Sequence, residues 1–166
     1  MTLHELVRPD SVLSNVEARS KKHAIEILSE LLSHGSEDVR QQDIFAAITD
    51  RERLGCTALG RAVAAPHARI ADAPHPIGAL LKLSSPVDFD TPDDEPVDLI
   101  FGVIFPEDVD DATIEDFRVL TEMLSRPGIQ ARLRKARSSR ELYEALMAEA
   151  EDSPRAAGGV AAGGEA

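Results

Sequence analysis

A chain of 166 residues with 43% apolar side chains has room for one domain with a real core. Its formal net charge of -12, from 30 acidic and 18 basic residues, sets Coulomb repulsion against a phosphate backbone and argues against nucleic acid as a partner. No stretch reaches the roughly 18 to 20 continuous apolar residues of a membrane span, Met1-Thr2-Leu3-His4-Glu5 is no basic-then-apolar leader, and Cys56 is the single cysteine.

These features predict a cytoplasmic protein without membrane insertion or internal disulfide. Cys56 reads as a small apolar side chain with no catalytic role. A basic protein surface is a natural partner for so acidic a chain, and the same charge also serves solubility.

Residues 1–10 read as a loosely packed lead-in in which Leu3, Leu6 and Val7 can dock. Residues 11–150 read as the domain. A first helix opens at Ser20-Lys21-Lys22, with Ala24, Ile25, Leu28, Leu31 and Leu32 at helical spacing, Ser20 as cap and Gly35 as a left-handed terminator. A second is predicted from about Gln41 to Leu54. Gly55 to Ile70 is rich in small residues and predicts a loop leading into one short strand. Ile77–Leu83 and Val97–Phe105 read as buried strands, joined by an exposed, turn-rich acidic connection from Ser85 to Pro96.

Glu107 to Asp111 supply cap and first-turn acids for a helix burying Ile114, Phe117, Leu120 and Leu124. Pro127 opens a short helix carrying Ile129 and Leu133, and Ser138 to Glu141 fit a capping box for a last one with Leu142, Leu146 and Met147. Residues 151–166, an Ala/Gly-rich tail, are expected to be disordered. The order of elements predicts an α/β single domain with a central mixed β-sheet flanked by helices on both faces, because the link between the two best strands is too short and polar for a crossover helix.

The segment Ala64-Ala65-Pro66-His67-Ala68-Arg69 presents an imidazole after a proline, among small residues that leave room for a large partner. Proline fixes its own backbone and restricts Ala65, so the chain is stiff where His67 is offered. By itself the Pro-His pair also fits a partly exposed structural histidine.

Gly55 to Arg69 resembles the signature of the type-2 EIIA domains of the bacterial phosphoenolpyruvate-dependent phosphotransferase system, in which a Gly-rich turn leads to an apolar-Ala-apolar-Pro-His segment. Ser20-Lys21-Lys22, Arg51-Glu52-Arg53, Pro96-Val97-Asp98-Leu99 and Glu141-Leu142-Tyr143 are similar to segments of its nitrogen-regulatory branch, and the similarity spans about residues 11 to 150. The resemblance implies a phosphocarrier in which His67 becomes a tele-phosphohistidine, with phosphate received from a histidine phosphocarrier of the HPr type. It also implies regulated targets such as sensor kinases or potassium transport regulators, and a phosphotransferase component that uses no cofactor.

Pro66, Gly60 and Arg69 are the supporting residues so implied, with backbone N–H groups around the Gly60 turn as donors to phosphoryl oxygens. Thr113 stands where the family has a second histidine; its hydroxyl can donate one hydrogen bond but carries no positive charge. Ala62 replaces a second glycine of the turn, which suits a residue of negative φ.

A metal site at His67 and His75, with Asp72 between them, is disfavoured because no tight ligand spacing is present, and Asp88 to Glu95 lack the glycine and closing glutamate of a calcium loop. Two other functions compete. One is a regulatory binding module with weak or lost phosphotransfer, which Thr113 favours. The other is a sugar-specific EIIA component feeding a transporter.

Overall fold

The computed structural model describes residues 1–152. The expected disordered tail lies outside the described residues, save for its first two positions, which end the last helix.

The lead-in is part of the core rather than loosely packed. A capping box between Thr2 and Glu5 starts helix α1 (Leu3–Leu6), and Leu3, Leu6 and Val7 are buried. Leu6 fills the space above Gly78, where an added Cβ would lie 2.7 Å from Leu6 Cγ. A 3-10 turn at Pro9–Ser11 then leads to strand β1 (Val12–Val16), which the sequence pattern does not predict.

Helices α2 (Lys21–Ser33) and α3 (Gln41–Glu52) follow as expected, α3 ending two residues early. The Ser20 hydroxyl accepts the His23 N–H at 3.1 Å and caps α2. Gly35 was expected to be left-handed, yet it has no positive φ. Its absent side chain is what matters, because a Cβ there would fall 2.4 Å from Ile77 Cγ2.

The small-residue segment holds three short strands rather than a loop and one strand: β2 (Ala58–Gly60), β3 (Val63–Ala64) and β4 (His67–Ile70). The two long strands, β5 (Ile77–Val87) and β6 (Val97–Pro106), pair antiparallel, so no crossover helix is needed between them. The sheet order is β1-β5-β6-β3-β2, with β4 also beside β6. β1 runs parallel to β5, and β3 and β4 run parallel to β6, which makes the sheet mixed as expected.

The connection after β5 is not wholly exposed. Phe89 is fully buried within it, with the Lys21 ammonium 4.8 Å from its ring centre.

Helices α4 (Asp111–Leu124), α5 (Pro127–Lys135) and α6 (Ser139–Asp152) complete the fold. Glu141 N–H donates to the Ser138 hydroxyl at 3.1 Å, but the Glu141 carboxylate accepts from Arg137 N–H, so only half of the expected capping box forms. The sheet separates two apolar cores. Phe101, Val103 and Phe105 face α1, α4, α5 and α6, while Leu81, Ile100 and Ile104 face α2 and α3.

The β2–β3 hairpin turns through Arg61 and Ala62, whose φ angles are 56° and 70°. Two positive φ values are the arrangement of a type I′ turn, which favours Asn and Gly. Ala62 thus does adopt the conformation its side chain disfavours, contrary to expectation. The turn is clamped in place: Arg134 Nη2 donates to the Arg61 carbonyl at 2.9 Å while pairing with Asp98, and Asp98 N–H donates to the Ala62 carbonyl at 3.0 Å. Left-handed backbone costs a residue with a Cβ about 1 kcal/mol. Ala62→Gly is therefore expected to stabilise the fold by up to about 1 kcal/mol, less what glycine's freer unfolded chain takes back. Thermal unfolding with no rise in midpoint would contradict this.

Candidate functional site at the β4 edge

Among the described strands β4 pairs only with β6, leaving its other edge free. Pro66 positions its first residue, His67: the buried Pro66 carbonyl accepts Val103 N–H at 3.1 Å, and proline's own missing N–H leaves no donor stranded. Strand alternation then turns Ala68 and Ile70 into the core beneath α2 and α3. His67 instead lies against Phe117 of α4, ring centres 5.1 Å apart, and Phe117 meets Phe105 edge-on at 5.3 Å.

A cavity of about 620 Å³ opens over His67. Strand β4 supplies Ala68 and Arg69 to its walls, α4 supplies Ile114 and Phe117, and β6 supplies Phe105. The end of α3 and the residues after it complete the walls with Ala47, Asp50, Arg51 and Leu54. Leu54 is 83% exposed, a large apolar side chain standing in solvent at the rim.

His67 Nδ1 lies 3.0 Å from the Ala65 carbonyl oxygen. A carbonyl oxygen only accepts, so Nδ1 carries the hydrogen of the neutral ring and Nε2 keeps a bare lone pair. Burial pushes the imidazole below its ordinary value of 6.5; the bond to Ala65 opposes this, the Arg51 charge adds to it and the Glu52 charge opposes it. The ring is therefore held neutral and nucleophilic, beside a guanidinium suited to gripping an oxyanion.

The predicted site residues are not all brought together. Arg69 and His67 line the cavity, and Pro66 sits directly behind it. Gly60 does not. Val63 pairs with Leu99 and His67 with Val103, four positions further along β6, or about 13 Å at strand spacing. The amides of the Gly60 turn lie at the far end of the hairpin and do not reach His67, contrary to expectation. Thr113 is not among the lining residues either: its N–H donates to the Asp110 carboxylate at 2.8 Å. The Thr113 hydroxyl and N–H together hold the Asp110 carboxyl below the usual carboxylate range.

Arg51 is the site residue that sequence reasoning did not single out. Its signal was the Arg51-Glu52-Arg53 segment at the end of a helix, but only folding of the hairpin brings that end to His67. His75 lies on an exposed turn, and among the described residues no three His, Cys, Asp or Glu side chains gather to hold a metal. No described helix is long and apolar enough to cross a membrane.

The family model for the EIIA 2 domain of the phosphoenolpyruvate-dependent sugar phosphotransferase system matches residues 5–149. The chain is 36% identical over 145 residues to a nitrogen regulatory protein of Pseudomonas aeruginosa, covering 87% of this chain and 94% of that one. The crystal structure of nitrogen regulatory protein IIA-Ntr from Neisseria meningitidis matches with a TM-score of 0.79 at 33% identity, over 86% of this chain and 97% of that one. Escherichia coli enzyme IIA mannitol, solved in complex with phosphorylated enzyme IIB mannitol, shares the fold with a TM-score of 0.70 at 23% identity, over 86% of this chain and 99% of that one. With this sheet, this histidine edge and these relatives, the chain belongs to the type-2 EIIA family of the phosphotransferase system, as a regulatory phosphocarrier of its nitrogen-regulatory branch.

Proposed function

We propose that the chain accepts a phosphoryl group on His67 Nε2 from a histidine phosphocarrier of the HPr type and regulates transport or metabolic partners by its phosphorylation state. The observation that carries this reading is the hydrogen bond from Nδ1–H to the Ala65 carbonyl, which leaves Nε2 as the nucleophile in a cavity shared with Arg51.

In the step, the Nε2 lone pair forms a bond to phosphorus. The phosphorus–nitrogen bond of the donor breaks, its electron pair returning to the donor imidazole. His67 keeps its Nδ1 proton, so positive charge develops on the ring, where the Ala65 carbonyl and the phosphoryl oxygens offset it. The same charge makes the group easy to pass on. Catalysis is mostly alignment and charge stabilisation, with Arg51, and Arg69 at the cavity wall, as the cations for the phosphoryl oxygens.

Incubation with phosphoenolpyruvate and purified donor proteins, followed by mass spectrometry, is expected to map one acid-labile phosphate to His67. A folded chain that takes up none would contradict the reading. The second reading, a binding module with weak or lost transfer, is favoured by Thr113, which is engaged with Asp110 where the family has a second imidazole. It predicts equal partner binding by the chain before and after treatment with the donor. A sugar-specific role would instead require transfer onward to a IIB-type protein.

Because His67 attacks as the neutral ring and burial lowers its pKa, uptake is expected to be full above that pKa and lost as pH falls through it. The acid limb should therefore lie below 6.5. An NMR titration of His67 with a midpoint at or above that value would contradict the electrostatics described.

A further inference from the structure

We propose that Thr57 and Glu52 are positioning residues for His67: their buried hydrogen bond holds Thr57, whose carbonyl anchors Ala65 by its N–H, and the carbonyl of Ala65 selects the imidazole tautomer. This rests on the phosphocarrier reading only for its effect on uptake, since the tautomer is a property of the chain alone.

Glu52 ends α3 with its side chain only 5% exposed. A carboxylate so placed is costly unless both oxygens are paired. One oxygen lies 3.0 Å from the Lys21 ammonium, and the other accepts the Thr57 hydroxyl hydrogen. Neither Glu52 nor Thr57 lines the His67 cavity, so neither touches an incoming phosphoryl group.

Their path to the imidazole runs through backbone. The Thr57 carbonyl accepts Ala65 N–H at 3.0 Å, and the Ala65 carbonyl accepts the His67 Nδ1 hydrogen at 3.0 Å. A side-chain bond at the end of a rigid helix thus fixes the peptide that enters Ala65, and the carbonyl of the peptide that leaves it, on a residue whose backbone the following Pro66 restricts, fixes the ring.

The hairpin needs such an anchor. Strands β2 and β3 are three and two residues long, their register shifts between Ala58 and Gly60, and their turn is strained. So short a ladder does not by itself hold a carbonyl to within the few tenths of an ångström a hydrogen bond requires. If the carbonyl tilts away, the proton is free to move to Nε2, the atom that has to attack.

The test is nitrogen-15 NMR of the full chain, which reads the His67 tautomer directly, alongside the rate of phosphate uptake. Thr57→Val keeps the shape and removes the hydroxyl, whereas Thr57→Ser keeps the hydroxyl. Wild type and Thr57→Ser are expected to show the single Nδ1–H tautomer. Thr57→Val is expected to show a mixture and to take up phosphate about tenfold more slowly, with an unchanged circular dichroism spectrum. A single Nδ1–H tautomer in folded Thr57→Val, or a mixture in Thr57→Ser equal to that in Thr57→Val, would overturn the proposal. If Thr57→Val does not fold, the double variant Lys21→Met, Glu52→Leu replaces the ion pair with apolar packing and gives the same readout: a mixture supports the proposal, a single Nδ1–H tautomer overturns it. A wild-type chain that takes up no phosphate would sink the phosphocarrier reading alone, and the tautomers would still decide this one.

Discussion

His67→Ala is expected to carry no acid-labile phosphate under conditions in which the wild-type chain is fully labelled. The loss should be complete because no other described imidazole shares the cavity, and His75, next along the chain, lies on an exposed turn. Nothing else in the wall has the nitrogen lone pair that can both take and return the group near neutral pH. His67 is only half-buried, so its removal widens an open cavity without hollowing the core. The thermal midpoint should therefore move little, which separates loss of chemistry from loss of fold. Label on His67→Ala equal to wild type would sink the assignment of His67.

Arg51→Met is expected to slow uptake by about 10² to 10³, the usual effect of removing one fixed donor to transition-state charge. Two electrostatic consequences have to be separated. Losing the guanidinium lets the His67 pKa rise, since Arg51 is one of the groups lowering it, so the acid limb of uptake moves to higher pH. The phosphoryl oxygens also lose their charged partner. Both changes slow the reaction, and raising the pH restores only the first. Arg51→Lys should recover part of the rate, because an ammonium supplies charge without the planar pair of donors. A rate for Arg51→Met within a few-fold of wild type at high pH would show that the phosphoryl group is held by something else. Arg69, the other basic side chain at the cavity wall, would then be the residue to change.

How far the sequence could be read depended on how many residues carried each pattern. Helix α2 buries Ala24, Ile25, Leu28, Leu31 and Leu32, and strand β6 is buried almost throughout; such elements repeat their signal several times. Strands β2 and β3 contain too few residues for any alternation to appear, so the pattern there predicts a loop. That omission hid Arg51, because its approach to His67 depends on the hairpin folding back between them. It also hid the distance from Gly60 to His67, which is set by the register on β6 and not by separation along the chain.

Single residues misled for related reasons. Gly35 looked like a terminator, but its lack of a side chain makes room for Ile77, a contact with a residue far along the chain. Phe89 sat among prolines and acids, where nothing local announced that it would be buried under Lys21. The family resemblance pointed to His67 and Thr113, of which His67 lines the cavity and Thr113 does not. Which way Thr113 turns was decided by Asp110, whose carboxylate caps the same helix end.

The cavity at the β4 edge is walled from one side of the sheet by α3 and from the other by α4. On the proposed chemistry, a phosphoryl group bonded to the strand and gripped by Arg51 works as a removable staple across the seam between the sheet and α3. The message would then be written as stiffness at that seam, legible to any partner that has to straddle it, without a domain having to move.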